Sequence, residues 1–290
     1  MKPIVVDLDN SLIKTDILHE AAIQLLKKQP FLFFLTLFSL RKGILHFKKT
    51  LSKQIELDID SLPINKKVEE WCREKDESGI PCYLVTGTHQ IYAEKFYDIF
   101  PFFKEITGST QYNLTGKNKA NFLLEKFGEG HFEYIGDSKK DLFIWNYASK
   151  SHIVSDNKKL IKKVPNLGEV FGRDESKLKV FFKAIRVHQW SKNLILLVPI
   201  LASHKYYDPS MLTTGIISFF SFSFMASAIY LLNDLLDLPS DRIHKTKKKR
   251  PLANGDLSIP LGIISFITFI LFSFLLSLQL PFNFSLILIT

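Results

Sequence analysis

The chain has 290 residues, with 38 Lys and Arg against 29 Asp and Glu and a formal charge of +9. That length allows about two domains of about 100–200 residues. Every charge lies in residues 1–256, and residues 209–233 carry none. The near-neutral mean hydropathy therefore averages a polar front with a very apolar back, which excludes one soluble globule and excludes disorder. The basic excess points to a membrane surface or phosphorylated substrates, and no nucleic acid is expected as a partner.

In chain order, residues 3–6 (Pro-Ile-Val-Val) predict a short strand ending at Asp7. Ile17, Leu18, Ala21, Ala22 and Leu25 predict a helix over 17–28. Residues 31–40 are uncharged and Phe-rich, too short to span a bilayer, so a buried or interfacial helix is expected. Next come a helix (66–78), a strand (80–85), a helix (90–100), a strand-like stretch (104–107), a helix (118–127), a strand (132–135) and a helix (139–148). This alternation argues for a parallel α/β sheet. Residues 151–176 read partly as the last sheet elements and partly as a linker. A basic amphipathic helix over 177–190 is expected on a membrane surface, with Leu178, Phe181, Phe182 and Ile185 at helical spacing. Membrane spans are expected at roughly 190–204, 211–232 and 259–280, with a fourth starting at 283. Asp7 and Asp9 interrupt the first apolar run, so no signal peptide is expected at the N-terminus. Cys72 and Cys82 read as small apolar fillers.

Asp7-Leu8-Asp9-Asn10-Ser11-Leu12 leaves the first strand. Carboxylates at i and i+2 on a strand-exit loop can face a site beyond the sheet edge, where open α/β sheets bind ligands. Thr86 ends the second strand, Lys119 opens a later helix, and Gly136-Asp137-Ser138-Lys139-Lys140-Asp141 follows a later strand. In this order the set resembles the haloacid dehalogenase (HAD) phosphohydrolase superfamily over about residues 1–150. The resemblance implies Asp7 as nucleophile, Asp9 as general acid and then base, and Thr86 and Lys119 on the phosphoryl oxygens; Lys117, two residues away, could serve instead of Lys119. It further implies Mg²⁺ held by Asp7, Asp137 and the Asp9 carbonyl, with Asp141 orienting that cluster. Asn10 stands at the family's usual Gly and Ser11 at its usual Thr. A helical cap is implied near residues 17–65; with 31–40 in it, the cap could lean on a membrane and admit a lipid-linked phosphate.

Asn233-Asp234-Leu235-Leu236-Asp237-Leu238-Pro239-Ser240-Asp241-Arg242 follows an uncharged span. Asp234, Asp237 and Asp241 at i, i+3 and i+7 share one helix face, where like charges repel unless a cation is bound. A basic run, Lys245 to Arg250, then Pro251-Leu252, comes next. This stretch resembles the UbiA family of membrane prenyltransferases over about residues 180–290. Arg186-Val187-His188-Gln189-Trp190-Ser191-Lys192-Asn193 resembles the decaprenyl-phosphate phosphoribosyltransferase branch, with Val187 at its usual Pro. The resemblance implies Mg²⁺ at Asp234, Asp237 and Asp241. It implies substrate contacts from Arg186, Lys192, Asn193, Asn233 and Arg250, a prenyl or phosphoribosyl diphosphate donor, and a polyprenyl phosphate or other lipid acceptor. The family carries more spans and a second Asp-rich motif, so a fragment of a longer protein is expected.

The expected fold is therefore an α/β HAD-like domain, a Rossmannoid parallel sheet with a helical cap, followed by an incomplete all-α UbiA-like transmembrane bundle. The expected boundaries are 1–160, a linker at 161–176, and 177–290. A multi-pass cell-membrane protein is expected, its N-terminal domain cytoplasmic by the positive-inside rule. A membrane-anchored phosphatase with a non-catalytic membrane part, and a non-enzymatic partner-binding protein, are the competing readings.

Overall fold

The computed structural model describes residues 2–172, 175–204 and 206–289. Residues 173 and 174 of the expected linker, and residue 290 of the expected fourth span, lie outside the described residues. The chain divides into two compact units, residues 1–174 and 175–290.

The front unit is a six-stranded sheet. Its elements are β1 (Ile4–Val6), α1 (Ile17–Lys28), α2 (Pro30–Leu37), α3 (Ile44–Gln54), α4 (Lys66–Glu77), β2 (Cys82–His89), α5 (Gln90–Ala93), β3 (Phe103–Ser109), α6 (Lys117–Phe127), β4 (Glu133–Gly136), α7 (Leu142–Trp145), β5 (Lys150–Ile153), α8 (Lys158–Ile161) and β6 (Leu167–Val170). The strand order is β3-β2-β1-β4-β5-β6, and every pairing is parallel. In this doubly wound order the chain reverses direction between β1 and β4, and a crevice opens beyond their C-terminal ends. Asp7 follows β1 and Asp137 follows β4, so both flank that crevice.

Successive residues of β1 face opposite sides. Ile4 and Val6 join a core with Leu84, Ile106 and Ile135, roofed by Ala21, Leu25 and Leu51. Val5 joins a second core with Val85, Leu123, Tyr134 and Trp145. Burial on both faces is what a parallel sheet requires. Both cores draw every residue from 4–171, so this unit owns the packing that folds it.

Several local expectations change. β6 lies inside the stretch expected as linker and pairs with β5. The helix expected over 90–100 is α5 and a 3₁₀ turn (Glu94–Tyr97). The strand expected from residue 80 to Thr86 at most spans Cys82–His89 instead. Helix α1 starts where the Asp16 carboxylate accepts from Leu18 N at 2.9 Å, and Lys27 and Lys28 complement its C-terminal dipole.

The back unit comprises α9 (Lys177–Ala184), a 3₁₀ stretch (Val187–Leu197), α10 (Val198–Ala202), α11 (Pro209–Leu236), α12 (Leu238–Ile243), α13 (Ile259–Ser277) and α14 (Phe282–Ile289). At 1.5 Å per residue the 28 residues of α11 rise about 42 Å and the 19 of α13 about 28 Å, against a hydrocarbon core of about 30 Å. Both are long and apolar enough to cross a bilayer. Their outer apolar side chains stay exposed, Ile264 and Leu271 among them, unlike those of a soluble core helix. Where α11 meets α13 the residues are small. Ser221 Oγ donates to Ser273 O (2.9 Å) and Ser273 Oγ donates back to Ser221 O (2.7 Å). Such small hydroxyl residues let membrane helices approach closely and satisfy their own hydroxyls.

The span expected at 190–204 is not one α-helix: a 3₁₀ stretch precedes the short α10. Side chains tie that stretch to α11, with Trp190 Nε1 donating to Ser227 Oγ and Asn193 Nδ2 to Ser223 Oγ, both at 2.9 Å. The amphipathic helix expected to reach 190 ends at Ala184, because Arg186 turns the chain with φ of 52°. Val180, Ala184 and Ile185 pack inward, while Leu178 and Phe182 are exposed.

Candidate functional site

In the front unit the loop after β1 is a distorted turn over Leu8–Leu12. Asn10 sits there at φ 57°, in the left-handed region that Asn tolerates better than other non-Gly residues. That conformation explains why Asn can stand where the family resemblance expects Gly.

The Asp7 carboxylate accepts from Leu8 N at 2.8 Å, and its Oδ1 lies 2.8 Å from Lys119 Nζ. Lys119 is fully buried and donates to Tyr134 OH at 3.2 Å. Tyr134 OH donates to Asp141 Oδ1 at 3.0 Å. Asp141 Oδ2 accepts from Asp137 N (3.2 Å), Ser138 N (2.9 Å) and Ser138 Oγ (3.0 Å). Asp9 Oδ1 accepts from Ile17 N at 2.9 Å, and its Oδ2 from Thr88 Oγ1 (2.8 Å) and Thr86 Oγ1 (3.3 Å).

Thus Asp7, Asp9, Thr86, Lys119, Asp137 and Asp141 converge on one crevice. Lys117, the open alternative to Lys119, is exposed and reaches over the Phe143 ring at 5.4 Å instead. Among the described residues, carboxylate oxygens of Asp7, Asp137 and Asp141 lie within 4.8 Å of one another. Asp141 spends its oxygens on four hydrogen bonds, which makes it a positioning group and leaves Asp7 and Asp137 as the donors for a cation.

Electrostatics agree with that division. Burial pushes the Asp7 carboxyl up, Lys119 pulls it back, and Asp141 repels it. Burial, then repulsion by Asp141 and Asp7, hold Asp137 well above the ordinary carboxylate range. Burial, then Asp16 and Asp7, push Asp9 up to about 7. Two oxygen donors that resist ionising beside each other are a set a hard divalent cation such as Mg²⁺ fits, since it relieves both burial and repulsion.

Sequence reasoning missed three groups here. Thr88 holds Asp9, and the Thr86-Gly87-Thr88 run, two hydroxyls at strand period two, was a readable sign. Tyr134 links Lys119 to Asp141. Lys48 on α3 donates to Gly87 O (2.6 Å) and Asn113 Oδ1 (2.8 Å), and burial lowers its pKa. Nothing in the sequence marks Lys48, whose partners stand 39 and 65 residues away. Beside Thr88, a small cleft is lined by Leu18, Lys48, Leu51 and Tyr92.

In the back unit, α11 does not carry the three aspartates on one unbroken helix. Asp237 caps its end at φ −97° and ψ 10°, and Pro239 opens α12. Arg250 Nη1 bridges Asp234 Oδ1 (3.0 Å) and Asp241 Oδ2 (2.6 Å). Arg186 Nη2 donates to Asp234 Oδ1 at 2.6 Å, and its guanidinium lies 4.4 Å over the Tyr230 ring. Hence two guanidiniums compensate the acidic face. Among the described residues, Asp241 Oδ1 is buried without a hydrogen-bond partner, with Lys247 Nζ 3.6 Å away. A buried carboxylate oxygen that accepts no hydrogen bond and faces an ammonium only at 3.6 Å is a donor that a cation fits. Two expected substrate contacts do not converge here. Asn193 bonds Ser223, about 16 Å along α11 from Asp234 at 1.5 Å per residue, and Lys192 is exposed. Asn233 is exposed beside Asp234.

Residues 194–290 match the family model described as UbiA prenyltransferase family, so the back unit carries a UbiA family domain. The chain is 33% identical over 268 residues to the uncharacterized protein y4nM of Sinorhizobium fredii, covering 91% of this chain and 52% of that protein. It is 43% identical over 77 residues to decaprenyl-phosphate phosphoribosyltransferase of Mycobacterium tuberculosis, covering 25% of this chain and 26% of that one. The chain thus spans about half or less of the length of these relatives. Among solved structures, a haloacid dehalogenase-like hydrolase from Streptococcus pneumoniae aligns at a TM-score of 0.44 and 15% identity, covering 63% of this chain and 98% of that one.

Proposed function

We propose that the front unit is a Mg²⁺-dependent phosphomonoesterase and the back unit part of a polyprenyl-phosphate phosphoribosyltransferase, acting in sequence on one lipid. The observation that carries the first half is the Asp7–Lys119 pair of 2.8 Å beside Asp137 at the switch point of the sheet. In this reading the Asp7 carboxylate attacks phosphorus and the ester P–O bond breaks. The leaving oxygen takes the proton from Asp9, whose raised pKa keeps it partly protonated near neutral pH. Asp9 then takes a proton from the water that hydrolyses the aspartyl phosphate. Lys119 balances the charge of Asp7 and of the incoming phosphoryl group, and Thr86 offers its hydroxyl to a phosphoryl oxygen. Asp7, the Asp9 carbonyl and Asp137 would hold Mg²⁺, which would supply further charge neutralisation.

For the back unit, the match at residues 194–290 and the relative from M. tuberculosis support transfer from phosphoribosyl diphosphate to a polyprenyl phosphate. Arg250 and Arg186 hold Asp234 and Asp241 in place, and Mg²⁺ at that acidic face would screen a departing diphosphate. The lipid-linked ribosyl product retains a phosphate monoester, the bond type the front unit cleaves. A shared chain raises its local concentration to about the millimolar range. The basic loop 242–250 and the basic segment 177–190 lie on the cytoplasmic side in this reading, as does the N-terminal domain: a reporter fused at residue 248 reads cytoplasmic and one at 206 the opposite side.

The test supplies the full-length protein with phosphoribosyl diphosphate and a polyprenyl phosphate. Wild type yields the dephosphorylated ribosyl lipid, Asp7→Asn stops at the phosphorylated lipid, and Asp234→Asn yields neither. A phosphorylated lipid as the wild-type end product sinks the coupling. Wild-type turnover of a generic phosphomonoester by Asp7→Asn sinks the phosphatase.

A further inference from the structure

Helix α2 has more apolar surface than its own unit can cover. Leu32, Phe33 and Leu37 pack on the core below, and Thr36 is buried. Phe31, Phe34, Leu35 and Phe38, at i, i+3, i+4 and i+7, point the other way and are 78%, 57%, 49% and 59% exposed. The face continues through Leu40 and Ile44. An apolar stripe of this kind on a helix is a binding surface rather than scattered exposure.

Its surroundings are of one sign. Residues 21–55 hold seven Lys and Arg and no Asp or Glu. Lys28 precedes the helix, Arg41 and Lys42 follow it, and all three are exposed. The Arg41 guanidinium lies 5.3 Å over the Phe38 ring, at the rim of the stripe. A rim of cations around exposed aromatics is the pattern of an element lying in an anionic membrane interface. The eight residues of α2 rise about 12 Å, far short of about 30 Å, so the helix lies in the plane rather than crossing.

We propose that the α2 face and the turn after it seat on an anionic lipid bilayer, inserting Phe31, Phe34 and Phe38 beneath the headgroups. A second copy of the chain is the poorer occupant, because it would bring the same positive rims together. A bilayer is also at hand, since α11 and α13 of this chain are built to cross one. The proposal rests on the exposed face and its charge, independently of the phosphatase reading.

The test reads insertion, not turnover, so its failure leaves the phosphatase assignment standing. Phe34→Cys in the full chain takes an environment-sensitive fluorophore selectively, because Cys72 and Cys82 are buried. Reconstituted into phosphatidylglycerol-containing bilayers, the label is expected to be quenched by brominated acyl chains. The quenching should fall in Arg41→Glu/Lys42→Glu and in high salt. In parallel, residues 1–172, which hold both cores, should sediment with phosphatidylglycerol vesicles and poorly with phosphatidylcholine ones. Phe31→Ser/Phe34→Ser/Phe38→Ser should weaken that binding about a thousandfold, from loss of about tenfold per inserted ring, with an unchanged circular dichroism spectrum. An unquenched label together with vesicle-independent sedimentation overturns the proposal. So does concentration-dependent dimerisation of residues 1–172 that the triple substitution abolishes while vesicle binding is absent.

Discussion

Replacing Lys119 by Met keeps the bulk of the side chain and removes the cation that faces Asp7 at 2.8 Å. Their Coulomb attraction is about 6 kcal/mol at an effective dielectric of about 20, before desolvation is counted. Breaking a buried pair from one side typically costs about 3–5 kcal/mol, because the partner keeps its burial penalty. Asp7 has an escape: it can take up a proton. Without Lys119, burial and Asp141 raise its pKa further. A carboxyl whose folded pKa lies above the unfolded value of about 3.9 binds more protons when folded, so stability falls as pH rises through that window, by about 1.4 kcal/mol per unit. The wild-type carboxyl is itself raised, so the deficit from Asp7 opens only above its folded pKa and should be small at pH 5. At pH 8 it should reach the full 3–5 kcal/mol range. Urea unfolding of residues 1–172 in chelator, followed by Trp71 and Trp145 fluorescence, measures both. A deficit equal at pH 5 and pH 8 refutes the reasoning, because it would mean that lost packing, not a stranded carboxylate, sets the cost.

Three further outcomes follow from particular contacts. Since Asp9 is pushed up to about 7 and must donate a proton, kcat/KM for phosphomonoester hydrolysis should fall about tenfold per unit above neutral pH; a profile flat to pH 9 removes Asp9 as the acid. A Cβ at Gly136 would meet Asp141 Cγ at 2.6 Å and Tyr134 Cε1 at 2.8 Å, so Gly136→Ala should cost about 1–3 kcal/mol of stability and displace the clamp on Asp137; a variant with wild-type urea midpoint and wild-type Mg²⁺ affinity contradicts that geometry. Ser221→Ala/Ser273→Ala removes the reciprocal hydroxyl contacts of α11 and α13 and should lower stability in detergent by about 1–2 kcal/mol, whereas Ser218→Ala, whose hydroxyl bonds Thr214 O within α11, should change little; equal effects argue against the crossing.

The strand-exit aspartates were legible because local rules place them. A β-branched tripeptide predicts β1, the carboxylates follow it at i and i+2, and the later Gly136-Asp137 follows β4 in the same manner. The uncharged stretches of α11 and α13 were equally legible, since a bilayer reads composition and length. Alternation of strands and helices implied a parallel sheet, yet the order β3-β2-β1-β4-β5-β6 appears only once the strands pair.

Tertiary structure decided what depends on contacts between distant residues. It chose Lys119 over Lys117, because one side of α6 faces Asp7 and the other faces Phe143. It brought Lys48 to Gly87 and Asn113, and made Asp141 a clamp through Tyr134 and Ser138. It turned an expected single acidic helix face into a broken one bridged by Arg250, and detached Asn193 from that site. It also separated the inward side of α2 from its outward side, which ten uncharged residues in a row cannot reveal. The division has one physical cause: propensity, periodicity and length act within a few residues, whereas the partner of a buried charge or of an apolar face is chosen by packing across the whole chain.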